Sequence, residues 1–172
     1  MRKLPDGWPP LPMFIWQIDL RAWRIDNIIA TLQHGDRMSR VSLWDITKHQ
    51  LEQISAAMQQ PFPAPTYLAL AAPFLSNDGT ALTIPESFLG GSAPCLDYLL
   101  LSSIPLQGLP KLLSSANGLV DLSLLNIPYS VRIPSNAMTT CLSAMTKLQR
   151  LHLFDRYCNT VNPRRRSYYT SV

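Results

Sequence analysis

The chain reads as an α/β protein, a right-handed solenoid of strand–helix units wrapped around a curved parallel sheet. Three observations predict this class. A short apolar pattern, Leu-x-x-Leu-x-Leu, recurs five times: MSRVSL from Met38, PTYLAL from Pro65, LDYLLL from Leu96, LVDLSL from Leu119 and LQRLHL from Leu148. The copies begin 27, 31, 23 and 29 residues apart. Between them lie segments whose apolar residues recur at helical spacing, and alternating strands and helices at so short a period build a parallel sheet with helices on one face.

The strand of each unit is justified by its alternation, because successive side chains on a strand point to opposite faces. Counting from the start of each copy, the fourth position is Val41, Leu68, Leu99, Leu122 and Leu151, and the sixth is Leu43, Leu70, Leu101, Leu124 and Leu153. All ten are aliphatic and are predicted to face the core. The spacing lies around the roughly 20–29-residue period of leucine-rich repeats, so the solenoid is leucine-rich-repeat-like with about five units. A sixth copy fits at Leu11, with Phe14 and Trp16 in the fourth and sixth places and Pro12 just inside it.

The helices follow in order. Asp26 can cap a helix carrying Ile28, Ile29 and Leu32 and ending at Gly35. Thr47 and Gln50 have capping-box spacing ahead of Leu51, Ile54 and Met58. Pro85 to Leu89 supplies one short turn before Gly90-Gly91. Pro110 suits a first helical turn ahead of Leu112 and Leu113, and Asn117-Gly118 stops it. Ser135 is placed to cap a helix whose stripe is Met138, Cys141, Leu142 and Met145. The chain divides into a Pro-rich lead over 1–10, the solenoid over 11–156 and a basic tail over 157–172 without apolar periodicity. That tail is expected to lack regular structure, which would leave the strand from Leu148 to Phe154 as an open edge prone to self-association.

Composition narrows the function. Of 172 residues, 47% are apolar and 15% charged, which is globular. The net charge of +4 is concentrated, since Arg164, Arg165 and Arg166 in the tail leave about +1 for the rest. That is too little for a footprint on phosphate, so no nucleic-acid partner is expected. Cys95, Cys141 and Cys158 are odd in number and far apart, which reads as reduced thiols and an intracellular protein, cytoplasmic or nuclear. The longest charge-free window, Gln53 to Asn77, contains Pro61, Pro63, Pro65 and Pro73, so no membrane helix is expected.

Chemistry is sparse. Gly90-Gly91-Ser92-Ala93 begins like a nucleophile elbow, but Pro94 occupies its last glycine position and a helical turn precedes it where a strand is needed. His34, His49 and His152 are isolated from acidic residues at metal-ligand spacing. No phosphate loop or paired-carboxylate motif is present. We therefore expect a non-enzyme with no catalytic, cofactor-binding or metal site.

The surface made by the repeats is more informative. If positions four and six face the core, positions three, five and seven form the concave face. They bring together Arg40, Tyr67, Tyr98, Asp121 and Arg150 in the third column and Leu100 and His152 in the fifth, with Trp44 in the seventh. Aromatic residues beside arginines are the composition of protein-binding hot spots, so these eight are the expected contacts of a protein target. The C-terminal Thr170-Ser171-Val172 also fits a peptide ligand captured by its carboxylate.

The stretches DNIIATLQHGDRMSRVSL, QLEQISAAMQQPFPAPTYLAL, IPESFLGGSAPCLDYLLLSSIPLQGLPKLL and MTTCLSAMTKLQRLHL resemble the leucine-rich-repeat region of fungal F-box-type proteins over about residues 26 to 154. The resemblance implies the substrate-receptor part of a ubiquitin ligase, in which the repeats capture a target and an F-box recruits the ligase adaptor. Only a short Pro-rich lead precedes the repeats, so the adaptor is an expected partner only if an F-box is encoded outside these residues. The alternative is a repeat scaffold with no ligase link.

Overall fold

The computed structural model describes residues 11–17, 25–73, 84–104, 108–127, 134–154 and 169–171. The Pro-rich lead and the three consecutive arginines lie outside them. The elements run β1 (Met13–Gln17), α1 (Ile25–Leu32), β2 (Met38–Leu43), α2 (Lys48–Ala57), β3 (Tyr67–Ala71), β4 (Tyr98–Ser102), α3 (Leu109–Ser115), β5 (Asp121–Leu125), α4 (Ser135–Ala144), β6 (Arg150–Phe154) and β7 (Tyr169–Ser171). A short 3-10 helix, Phe88–Gly91, precedes β4. All seven strands form one sheet in chain order, and β1 to β6 are parallel.

The register is the one the repeat spacing demands. Val41, Leu68, Leu99, Leu122 and Leu151 sit opposite one another across β2 to β6, as do Leu43, Leu70, Leu101, Leu124 and Leu153. These columns share a single core with Leu32, Leu51, Ile54, Leu112, Leu113 and Cys141 from the helices, so the described helices lie on the face to which positions four and six point. The columns are sealed in the middle and thin at the end. Leu101 is fully buried and Leu124 nearly so, whereas Leu153 is 49% exposed, a departure from the predicted core.

β1 corrects the sequence reading by one residue. Ile15, not Phe14, lies opposite Val41, while Phe14 pairs with Arg40 and Trp16 with Ser42 after an irregularity between Met13 and Phe14. A one-residue slip turns every side chain to the other face. Met13 and Ile15 therefore pack on the core, and Phe14 and Trp16 are 61% and 62% exposed on the helix-free face.

The strand ends repeat a hydrogen-bonding device. The carbonyl of Thr66 accepts from the N–H of both Asp97 and Tyr98, that of Asp97 from Val120 and Asp121, and that of Val120 from Gln149 and Arg150, all at 2.8–3.0 Å. At the opposite end, Asp45, Ser103 and Asn126 occupy the eighth position of their units with left-handed φ of 55°, 57° and 51°. Asp and Asn tolerate this conformation better than most residues. The turn drops Ile46 and Ile104, the next residues, into the core.

The helix termini are mixed. The capping box of α2 forms as the sequence predicts: the Thr47 N–H donates to Gln50 Oε1 at 2.9 Å and the Gln50 N–H donates to Thr47 Oγ1 at 3.4 Å. Pro110 lies in the first turn of α3. Asp26, predicted as a cap, is already inside the first turn of α1. Ser135 is likewise inside α4, whose N-cap is Pro134, so its hydroxyl caps nothing. At the end of the 3-10 turn, Gly90 and Gly91 take φ of 67° and 72°, and a Cβ on Gly90 would stand 2.9 Å from Pro61 Cα. This glycine pair is a tight exit, not a strand-to-serine elbow.

The tail also departs from expectation. Its residues 169–171 form β7, antiparallel to β6, with Ser171 opposite Arg150, Thr170 opposite Leu151 and Tyr169 opposite His152. The predicted open edge is thus paired, because an extended backbone can satisfy the outward N–H and C=O groups of β6 without apolar periodicity of its own. No helix among the described residues is long and apolar enough to cross a membrane.

Candidate functional site

The helix-free face is built from columns three, five and seven. Parallel strands in register place equivalent side chains about 4.8 Å apart, close to the stacking distance of aromatic rings. The third column reads Phe14, Arg40, Tyr67, Tyr98, Asp121 and Arg150 across β1 to β6. Tyr67 and Tyr98 stack with ring centroids 4.3 Å apart and planes 2° from parallel. Trp16 extends the row from the fifth column, crossing β2 to meet Tyr67 at 6.0 Å and 27°. It can do so because Ser42, its neighbour on β2, is small, and Arg40 is exposed.

The row then becomes charged. Asp121 is buried, with one carboxylate oxygen 2.8 Å from Arg150 Nε, and the Arg150 side chain is 64% exposed. Ser123 Oγ donates to the other oxygen at 3.5 Å. Beside this pair the Tyr98 phenol is pushed up to about 12, first by burial, then by its neighbours Tyr67 and Asp121, with Arg150 opposing. The Tyr98 phenol therefore stays protonated well into the alkaline range.

The expected contact residues are not equally available. Arg40 and Arg150 are exposed, and Tyr67, Tyr98, Trp44 and His152 are half-buried. Trp44 is turned back, its Nε1–H donating to Ser42 Oγ at 3.0 Å. Leu100 is a correction: only 8% of it is exposed, and Ser42, Ala69 and Ser123 share its burial in the fifth column. Asp121, in the third column, is buried as well and is paired with Arg150. Phe14 and Trp16 belong to the surface instead, and no signal in MFIWQ places them there, since both faces of the strand are apolar. Thr170 and Ser171 pair along β6, and Val172, whose carboxylate the peptide-capture reading needs, lies outside the described residues.

The opposite side of the molecule carries a shallow groove of about 520 Å³ between α1 and α2, lined by Asp26, Ile29, Gln33 and Gln53 among others. Among the described residues, no group of three or more His, Cys, Asp or Glu side chains converges. The distinctive chemistry of the surface is therefore the aromatic row that ends in an ion pair. Comparison with family models and with curated proteins gives no match to this chain.

Proposed function

We propose that the strand–helix units form a right-handed, leucine-rich-repeat-like solenoid, that the helix-free face is its concave wall, and that this wall binds a protein. The observation that carries the reading is the stacked row Trp16–Tyr67–Tyr98, flanked by Phe14 and Arg40 and ending in Asp121–Arg150. Stacking fixes the rings before any partner arrives, so little side-chain entropy is lost on binding. Aromatic residues and arginine are also the side chains that dominate binding energy at protein interfaces. The resemblance to F-box/leucine-rich-repeat proteins supports the narrower proposal that the bound protein is a ubiquitin-ligase target.

The test is quantitative capture from cell lysate read by mass spectrometry. Trp16→Ser with Tyr67→Ser removes two rungs of the row, and Glu52→Lys on the exposed side of α2 is the matched control. The aromatic variant should lose about 2–4 kcal/mol of partner binding, and the control should keep it. Loss in the control with retention in the aromatic variant would assign binding to the helix side. Copurification of the full gene product with the ligase adaptor supports the narrower proposal, and its absence leaves a scaffold.

A further inference from the structure

The sheet has two edges, and they differ. On the β6 side, β7 lies antiparallel along the last parallel strand. On the other side, β1 has only β2 as a neighbour among the described residues. Edge strands are commonly protected by a charge or a proline, and β1, which reads MFIWQ, has neither. Leu11, just before it, is 73% exposed, and Phe14 and Trp16 are exposed by more than half.

We propose that the free edge of β1 pairs with β1 of a second copy of this chain, antiparallel, about a two-fold axis at Ile15. The geometry is self-complementary. Met13 donates its N–H to the Arg37 carbonyl on the β2 side at 2.8 Å, so alternation along the strand turns the N–H and C=O of Phe14 and Trp16 to the outer edge. An axis at Ile15 sets Phe14 opposite Trp16 of the second copy, and Trp16 opposite its Phe14. These are the residues with outward backbone groups, so each pair closes two hydrogen bonds. Their side chains form aromatic cross-strand pairs, a favourable combination on a sheet. Centring on Phe14 instead would set Trp16 opposite Pro12, which has no N–H to give. Only the Ile15 register pairs all five strand residues and reads identically from either copy, as an isologous contact requires. A single strand pair is at the small end of specific interfaces, so the dimer is reversible. The inference rests on β1 alone and stands whether or not the helix-free face binds a target.

Sedimentation velocity of the whole chain tests it. The mass should rise from 19.3 kDa towards twice that with concentration. Phe14→Lys, a change at an exposed edge position, should raise the dissociation constant at least tenfold, and Phe14→Pro, which deletes an outward N–H, should do the same. Register is read by cysteine pairing in a Cys95→Ser, Cys158→Ser background. Ile15→Cys sits on the axis and should form an intermolecular disulfide under air oxidation. Gln17→Cys should not, since it lies about 14 Å from its counterpart at ~3.4 Å per residue, beyond disulfide reach. A chain that stays monomeric at every concentration overturns the proposal. So does a dimer undiminished by Phe14→Lys, a reading that does not depend on the cysteine variants folding.

Discussion

Leu101, Leu124 and Leu153 occupy the same column on three adjacent strands but are 0%, 5% and 49% exposed. Truncation of each to alanine removes the same three carbons, so differences in cost report burial alone. At about 0.8 kcal/mol per buried carbon the transfer term is roughly 2.4 kcal/mol for full burial. A cavity in the middle of the sheet adds about 1–2 kcal/mol, because its walls belong to two neighbouring strands and relax little. Leu101→Ala should thus cost about 3–4 kcal/mol, and Leu124→Ala slightly less. Leu153→Ala loses half the transfer term and opens no closed cavity, so about 1 kcal/mol. For a chain of this size these correspond to melting shifts of roughly 6–16 °C for Leu101 and 2–4 °C for Leu153. Guanidinium unfolding followed by circular dichroism, with an unchanged slope across variants, gives the free energies. Equal costs for all three, or a larger loss at Leu153, would refute the claim that the sixth position faces a core that thins towards β6.

Three further outcomes are expected. Ser123→Asp places a second carboxylate beside buried Asp121, so it should destabilise the fold by about 2–3 kcal/mol in the same unfolding assay, although the sequence pattern alone reads Ser123 as a surface site. Gly90→Ala combines a left-handed φ with a 2.9 Å approach to Pro61 Cα, and should cost at least about 1–2 kcal/mol in the same denaturant titration. Because the folded protein raises Tyr98 from 10.0 to about 12, its contribution to stability is intact below pH 10 and lost as pH rises from 10 to 12. Tyr98→Phe should flatten that alkaline decline when unfolding is measured as a function of pH.

What could be read from the sequence was whatever repeats. Ten aliphatic positions gave the register of β2 to β6 because only one pairing buries both columns at once. The same logic misplaced β1, where MFIWQ offers apolar residues on both faces and the pattern cannot choose between Phe14 and Ile15. β7 was invisible for a different reason. An edge strand needs only backbone groups to pair, and those groups are the same in every residue but proline. The candidate surface was legible as a set of columns, since Arg40, Tyr67, Tyr98, Asp121 and Arg150 follow from register alone. Its relief was not. That Leu100 is only 8% exposed and that Asp121 is spent on Arg150 depends on side-chain packing, which strand register alone does not fix.

The reversal of direction at β7 has a consequence for how such a chain can lengthen. Each strand–helix unit hands the next one an edge running the same way, so units can be duplicated and inserted like links anywhere between β1 and β6. β7 runs the other way and occupies the outer edge of β6, so a unit added after β6 in the same parallel ladder must first displace it. It behaves as a removable end group does in a polymerisation, masking one end while leaving the rest of the array open to growth. Gains and losses of whole units of about 23–31 residues should therefore be tolerated between β1 and β6, whereas a unit added after β6 must compete with β7 for its edge, which gives an otherwise repetitive protein a direction.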